Sequence, residues 1–180
     1  MHELCDAPHA TQHLQEELDA VLGDAHVPPT VESLGDLPYA GAVGEEALRL
    51  RPVAPFMFME ANEPVVVGDL DLDTGDIVVV VLRMAAEEGV DNPRAFRPER
   101  WLDPDGEGAE LVRQGKHVPF GTGPRICPGR SLALTEIRLG LALLYKNFDV
   151  ERIGWSTDVR ENFSFTMNPK GLRVRLRARG

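Results

Sequence analysis

The sequence predicts an α+β fold that is mainly helical and rich in loops. Apolar residues recur at helical spacing, as in Leu14, Leu18 and Leu22. Further along, short β-branched runs such as Ile77–Leu82 are separated by turns that contain Gly and Asp. The 17 Gly and 14 Pro among 180 residues are fewer than disordered chains contain but many for a helical bundle.

Three helices are predicted. The first covers residues 9–22 and ends at Gly23, because glycine is the usual residue just beyond a helix. The second covers residues 39–50 and is stopped by Pro52, since proline cannot donate the next backbone hydrogen bond. The third covers residues 128–147, with a proline in its first turn, where proline fits well.

The remaining segments are predicted to be strands and loops. Residues 83–126 form a long loop with many prolines, and loops of this length are usually functional or disordered. Asn168-Pro169-Lys170-Gly171 is predicted to turn the last two strands into a hairpin. The predicted strands are Phe56–Ala61, Val65–Val67, Ile77–Leu82, Phe148–Ile153, Phe163–Met167 and Leu172–Arg177.

Composition excludes several classes of protein. The formal net charge of −10 argues against a nucleic-acid partner. The longest apolar run is too short to span a membrane, and Met1–Pro8 does not resemble a signal peptide. Two cysteines cannot form a disulfide framework, which indicates a reducing compartment. Because 16 Arg accompany only 3 Lys, a composition typical of GC-rich bacteria, we expect a cytoplasmic bacterial protein.

The most informative segment runs from Phe120 to Arg130 and contains Cys127 at the point where the loop becomes a helix. The positive end of a helix dipole and the nearby Arg125 both favour the thiolate form of this cysteine. A cysteine nucleophile would need a histidine base, and the only candidate in this half is His117. A buried structural cysteine is a second possibility. A single-thiolate axial ligand to haem fits best, because no second ligand lies at zinc spacing.

Phe120-x-x-Gly123-x-Arg125-x-Cys127-x-Gly129 resembles the haem-binding loop of the cytochrome P-450 family. The resemblance implies that Cys127 is the axial thiolate ligand of the haem iron. It also implies a non-covalent haem b, since no Cys-x-x-Cys-His motif occurs for covalent attachment. The residues that would contact this cofactor are Phe120, Gly121, Gly123, Arg125, Cys127 and Gly129.

Two further segments occur in the family's order. Glu46-Ala47-Leu48-Arg49 resembles the Glu-x-x-Arg pair of the K helix, and Arg100 lies in a segment that resembles the one supplying a third charge. By resemblance, Glu46, Arg49 and Arg100 form a buried triad that locks the long loop onto the helix. The substrate pocket would be apolar and lined by Val53, Ala54, Phe56, Phe163 and Phe165.

The resemblance implies that residues 1–180 are a single partial domain, the C-terminal portion of the cytochrome P-450 fold. This portion would hold the J, K and L helices, small β-sheets and the cysteine-ligand loop. Most of the central I helix, with its distal acid–alcohol pair, would be absent, so no catalytic residue is assigned within this chain. The implied function is oxidation or hydroxylation of an apolar small molecule. O₂ and electrons from a redox partner, a ferredoxin or a reductase bound on the proximal face, would be required.

Two alternatives stay open. The chain could be a non-catalytic fragment without stable haem binding. It could also contain a small metal-binding module, because Cys5, His9 and His13 recur every four residues and would share one helix face with imidazole and thiolate ligands.

Overall fold

The computed structural model describes residues 1–164 and 166–179. Helix outweighs strand, at 44% against 19%, which confirms the predicted α+β, mainly helical class. The helices are α1 (His2–Asp6), α2 (Pro8–Leu22), α3 (Pro38–Leu50), α4 (Leu82–Glu87), α5 (Glu107–Arg113) and α6 (Arg130–Asn147). The strands are β1 (Phe56–Glu60), β2 (Val65–Val67), β3 (Leu70–Leu72), β4 (Ile77–Val81), β5 (Phe148–Arg152), β6 (Arg160–Phe163), β7 (Met167–Lys170) and β8 (Val174–Ala178).

The hydrophobic core lies where α2, α3 and α6 meet. Leu14 and Leu18 are fully buried on one face of α2, as their spacing predicts. Two glycines of α3 let α6 approach closely. A Cβ at Gly44 would lie 2.8 Å from Cγ2 of Ile137, and one at Gly41 would lie 2.7 Å from Nη2 of Arg138. The absence of a Cβ at Gly44 therefore limits the distance between the two helices, because Ile137 is branched and has little freedom to move, whereas the Arg138 guanidinium at Gly41 is the end of a flexible side chain.

Helix α3 is capped by a residue of another helix. Its own N-cap residue, Leu37, forms no side-chain cap. The carboxylate of Glu17, on α2, accepts hydrogen bonds from the backbone N–H groups of Tyr39 (2.6 Å) and Ala40 (2.9 Å). The first N–H groups of a helix have no partner within that helix. Glu17 therefore supplies the missing acceptors and fixes where α3 begins against α2.

The strands form four separate two-stranded antiparallel sheets among the described residues. β1 pairs with β4, β2 with β3, β5 with β8, and β6 with β7. The β6–β7 hairpin is joined to the rest of the structure through Glu161. This carboxylate accepts two hydrogen bonds from Arg83, at 2.8 and 2.9 Å, and a third from Arg51.

The sequence placed the C-terminal hairpin wrongly. Residues 163–167 were predicted to be one strand, but Phe163 is the last residue of β6 and Met167 is the first of β7. Met167–Lys170 was predicted to form most of the next turn, but it is β7. Pro169 is tolerated there because β7 is an edge strand, where a missing N–H costs little. Gly171 follows the last residue of β7 and has φ +90°. A Cβ there would lie 2.7 Å from the backbone oxygen of Asp158, so the position both turns the chain and leaves no room for a side chain.

Helices α4 and α5 interrupt the segment that was predicted to be one long loop, and β3 was also missed. Both helices are short, with six and seven residues, which leaves little periodicity to detect. Helix α5 does have a recognisable charge pattern, with Glu107 and Glu110 in its first turn and Arg113 in its last. Helix α6 begins at Arg130, two residues later than predicted, with Gly129 as its N-cap.

A buried charge cluster joins α3 to the segment around residue 100. Glu46 is 0% exposed and accepts five hydrogen bonds. Two come from the Arg49 guanidinium, both at 2.8 Å, and one comes from Nε of Arg100 at 3.0 Å. The others come from the backbone N–H of Arg97 (3.0 Å) and Nε1 of Trp101 (2.9 Å). The structure thus brings Glu46, Arg49 and Arg100 into direct contact.

The cluster contains a fourth charge that the sequence analysis missed. The carboxylate of Glu107 accepts a hydrogen bond from Nη1 of Arg100 and one from Nη2 of Arg97 at 3.1 Å. The two buried arginines are thus balanced by two acids and not by one. The guanidinium of Arg49 also donates to backbone oxygens of the 86–95 segment, at 2.7 Å to that of Pro93.

Opposing effects act on the carboxyl group of Glu46. Burial raises its pKa, because the charged form loses its water. The hydrogen bonds and the positive charge of Arg49, together with the donors on Arg97 and Trp101, lower the pKa by more. The net pKa lies below that of an ordinary glutamate, so Glu46 is charged at neutral pH.

We expect Glu46→Gln to lower the free energy of unfolding by about 3–5 kcal/mol, because it leaves buried guanidinium groups without their main counter-charge. Urea unfolding followed by far-UV circular dichroism measures this loss. Glu110→Gln is the matched control, since its pair with Arg113 is about half exposed and should contribute less than about 1 kcal/mol. Equal losses in the two variants would contradict the structural role of Glu46.

A second ion pair attaches α1 to β5. Asp6 accepts hydrogen bonds from both terminal nitrogens of Arg152, with Nη1 at 2.6 Å, and from Oγ of Ser156 at 2.8 Å. The hydrogen bond to Arg152 is the main reason that the pKa of Asp6 falls to about 2. Asp6 is the last residue of α1, so this contact fixes the end of that helix.

The ion pair between Asp6 and Arg152 should make the free energy of unfolding depend on pH under acidic conditions. The pKa of Asp6 is lower in the folded chain than in the unfolded chain, where it is about 3.9. The stabilisation is therefore complete above about pH 4 and is lost as the pH falls towards 2. Urea midpoints should show that the advantage of the native protein over Asp6→Asn shrinks between pH 5 and pH 2. The effect should be small, because the side chain is 43% exposed. For the exposed Glu16→Gln control we expect no such shrinkage.

Candidate functional site

The segment from Phe120 to Cys127 is a closed loop directly before α6. The backbone N–H of Cys127 donates to the carbonyl of Phe120 at 2.9 Å, which joins the two ends. Gly121 and Gly123 have φ of +74° and +64°, a conformation that residues with a Cβ rarely adopt. The backbone N–H of Ile126 then donates to the carbonyl of Gly123 at 3.2 Å. The two glycines permit the sharp path that returns the chain to Phe120.

The thiol of Cys127 is exposed, free and two residues before the N-cap of α6. Gly129 lies beside it, and a Cβ there would be 3.7 Å from the sulfur. Apolar side chains are exposed on the same segment, with Ile126 at 47% and Leu132 at 63%. Phe120 is half-buried. The thiol thus lies on an exposed, partly apolar surface.

Charged groups near the thiol do not complete a conventional ligand set. Among residues 1–164 and 166–179, no His, Asp or Glu groups with Cys127 in a cluster that could hold a metal ion. Arg125 is exposed and forms no ion pair within that part of the chain. The segment offers one sulfur ligand, and the exposed Arg125 lies two residues before it in the chain.

His117, the candidate base for Cys127, is bonded to a carboxylate of α3. Its ring is buried, and Nε2 lies 2.9 Å from Oε2 of Glu45 on α3. The ring also packs against Trp101, with centroids 4.5 Å apart. These contacts hold the start of the cysteine loop against α3. A cavity of about 710 Å³ lies between the loop and that helix, and Gly41, His117 and Phe120 contribute to its wall.

The residues predicted to contact substrate fall on two adjoining elements. Phe56 on β1 and Phe163 on β6 meet edge to face, with ring centroids 5.5 Å apart. The carbonyl of Val53 accepts a hydrogen bond from the backbone N–H of Met167 at 2.7 Å. Ala54, which lies between Val53 and Phe56 in the chain, is exposed. Phe165 lies outside the described residues.

A cavity of about 330 Å³ lies between α1, α3, α6 and the β6–β7 hairpin. Its wall is largely apolar. Residues that line it include Leu4, Val43, Val53, Ile137, Leu141 and Met167. Of the five predicted substrate-contacting residues, Val53 is the one that reaches this wall among the described positions.

The predicted cluster of Cys5, His9 and His13 does not form. Ala7 has φ −126° and ψ 71°, which ends α1 before Pro8 starts α2, so Cys5 does not share a helix face with the two histidines. Cys5 is half-buried, and burial raises the pKa of its thiol. The two histidines meet Glu99 instead. Glu99 was missed because 86 residues of chain separate it from His13.

No helix among the described residues has both the length and the apolar character needed to cross a bilayer.

Comparison with known proteins identifies the family. The model of the cytochrome P450 family matches residues 1–176. The chain is 31% identical over 152 residues to the mitochondrial 1,25-dihydroxyvitamin D(3) 24-hydroxylase of Rattus norvegicus, covering 83% of this chain and 29% of the relative. It is 35% identical over 176 residues to a self-sufficient cytochrome P450 monooxygenase of Aspergillus terreus, covering 96% and 16%.

A third relative is the trimethyltridecatetraene synthase of Zea mays, 38% identical over 155 residues, covering 82% of this chain and 28% of the relative. The chain therefore spans less than a third of the length of each of these three relatives. The match nevertheless includes the cysteine loop and the charge cluster, and it leaves only four residues of this chain outside the family model. By sequence, this chain is a member of the cytochrome P450 family.

Proposed function

We propose that the chain supplies the thiolate side of a haem-thiolate monooxygenase that oxidises an apolar small molecule with O₂ and electrons from a redox partner. The observation that supports this most directly is the thiol of Cys127, exposed at the end of a closed loop with no competing ligand among the described residues. The family implies haem as the cofactor, and we propose the b-type, bound without a covalent link.

The donor set fits this cofactor. A structural zinc site needs four protein ligands and a catalytic zinc site usually needs three, whereas no group of three ligand side chains among the described residues includes Cys127. A thiolate-ligated haem would need only the Cys127 sulfur from this part of the protein. The exposed Ile126 and Leu132 suit the apolar face of a macrocycle.

The neighbouring residues would hold and tune the cofactor. Arg125, exposed and without an ion pair in the described structure, would pair with a haem propionate in a charge-assisted contact. Phe120 would shield the sulfur from water. Gly121, Gly123 and Gly129 would keep the loop backbone near the macrocycle, since a larger residue would strain the first two positions.

When bound, thiolate-ligated haem supplies the oxygen activation, because the thiolate donates electron density that favours O–O cleavage. The chain's own residues fix the position of the sulfur. Glu46 and its arginines hold the preceding segment on α3, and the hydrogen bond between Cys127 and Phe120 holds the loop itself. These contacts would hold the sulfur in position for the cofactor, and such preorganisation reduces the cost of binding.

Substrate would approach from the side of the C-terminal hairpin. Val53, Ala54, Phe56 and Phe163 provide an apolar surface, to which Phe165 would add. An apolar substrate suits such a surface. Electrons would arrive at the proximal face, on the side of the cysteine loop, where we propose that a ferredoxin or a reductase docks near the exposed Arg130.

We propose that residues 1–180 are a partial domain and that oxidation requires further polypeptide. The matched part of this chain covers less than a third of each relative, and large apolar side chains are exposed on the described surface, among them Phe58 at 69% and Met84 at 68%. Exposed apolar area of this kind usually faces another part of a protein. The acid–alcohol pair for oxygen activation would belong to that additional part.

Haem reconstitution tests the proposal. With excess haem, the reduced chain exposed to CO should show the red-shifted Soret band of a thiolate complex, because Cys127 is the ligand. We expect the band to vanish in Cys127→Ser and to persist in Cys5→Ser, the matched control. Gel filtration should strip the haem from the native chain, and no oxidised product should form.

Two results would contradict the proposal. A thiolate band that survives in Cys127→Ser would assign the ligand elsewhere. Substrate turnover by the 180-residue chain alone would show that no further polypeptide is needed. If the native chain yields no thiolate band at any haem concentration, the alternative of a non-catalytic fragment without stable haem binding is favoured.

A further inference from the structure

We propose that His9, His13 and Glu99 form a binding site for one divalent first-row transition-metal ion, of which Zn²⁺ is the representative. One nitrogen from each histidine and one carboxylate oxygen lie within 4.8 Å of one another. Among the described residues this is the only such group of three ligand side chains. It lies apart from the cysteine loop and does not depend on the proposed function.

The two histidines are presented by one rigid helix. His9 and His13 are one turn apart on α2, and their ring centroids are 4.0 Å apart. Residues four apart on a helix lie on the same face, which is the spacing that helical zinc sites use for paired histidines. Little backbone ordering is therefore needed to bring the two imidazoles to one ion.

Glu99 is held in place by its neighbours on both sides. Pro98 and Arg100 are both buried, and Arg100 is fixed by its bond to Glu46. The hydroxyl of Tyr39, on α3, donates to Oε1 of Glu99 at 2.7 Å. Such outer hydrogen bonds orient the carboxylate ligands of metal ions.

The distances need only small changes on binding. Nδ1 of His9 and Nδ1 of His13 lie 3.9 and 3.7 Å from Oε1 of Glu99. In a tetrahedral zinc site with bonds of about 2.0–2.1 Å, neighbouring ligand atoms lie about 3.4 Å apart. Side-chain rotation can close the remaining gap, since His9 is 73% and His13 40% exposed. The fourth position would face solvent and take water.

The ligand types decide the class of metal. Two imidazoles and one carboxylate suit Zn²⁺, Ni²⁺ and Cu²⁺. Mg²⁺ and Ca²⁺ prefer sets made of oxygen alone. The bound ion would link α2 to the segment that anchors the charge cluster, so binding should also stabilise the fold.

The test is Zn²⁺ binding to the full chain at pH 7.5, measured by competition with a chromophoric chelator. We expect one high-affinity ion per chain. His9→Gln, His13→Gln and Glu99→Gln should each weaken the apparent affinity at least tenfold, and Zn²⁺ should no longer raise their melting temperature. His9 is largely exposed, so its variant keeps the test valid if another variant fails to fold.

Three controls separate this site from other zinc ligands. His26→Gln removes an exposed histidine that lies 2.8 Å from Oδ1 of Asn147, and affinity should be unchanged. Cys5→Ser and Cys127→Ser should likewise bind as the native chain does. Native affinity in His9→Gln and His13→Gln, or loss in either cysteine variant, would overturn the proposal. Absence of Zn²⁺ binding by the native chain would also overturn it and leave Glu99 with the hydroxyl of Tyr39 as its partner.

Discussion

The buried carboxylate of Glu46 is the constraint on which the rest of this structure depends. Because it is fully removed from water, it requires several donors at once, and it takes them from both α3 and the segment at residues 97–101. The arginines that pair with Glu46 are also buried. Their remaining N–H groups donate hydrogen bonds to backbone carbonyl oxygens between residues 86 and 95. A segment with little regular structure thereby satisfies its backbone through side chains. The charge cluster thus provides the hydrogen-bond partners that backbone groups find elsewhere in a sheet or a helix.

The same cluster leads, contact by contact, to the cysteine loop. Trp101 donates a hydrogen bond to Glu46 and packs its ring on His117. His117 in turn is hydrogen-bonded to Glu45, the residue of α3 immediately before Glu46. His117 precedes the loop by three residues, so the loop starts from a fixed point, and the hydrogen bond from Cys127 to Phe120 closes it. The position of the sulfur is thus set by buried polar contacts that lie away from it, which leaves the thiol surface itself free to meet a ligand.

Local signals in the sequence predicted what is local in the structure. The burial of Leu14 and Leu18 on one face of α2, the end of that helix before Gly23 and the pairing of Glu46 with Arg49 all follow from residues a few positions apart. Trp101, Glu107 and Glu99 were missed, because their partners are chosen by the path of the chain over tens of residues. The C-terminal hairpin was misplaced because Pro169 and Gly171 are ordinary turn residues that here lie in and just after an edge strand. That outcome depends on tertiary contacts such as the one between Gly171 and Asp158.

Gly44 has a mechanical consequence for the cysteine loop. The loop runs without interruption into α6, and a Cβ at Gly44 would lie 2.8 Å from Cγ2 of Ile137, a branched side chain with little freedom to move. The missing methyl group at Gly44 therefore limits how far α6 stands from α3. A methyl group at Gly44 would move α6 away from α3 as a rigid body, and Cys127, just before the start of α6, would move with it. The distance of the Cys127 sulfur from the helical core is thus determined by a residue some 80 positions earlier in the sequence.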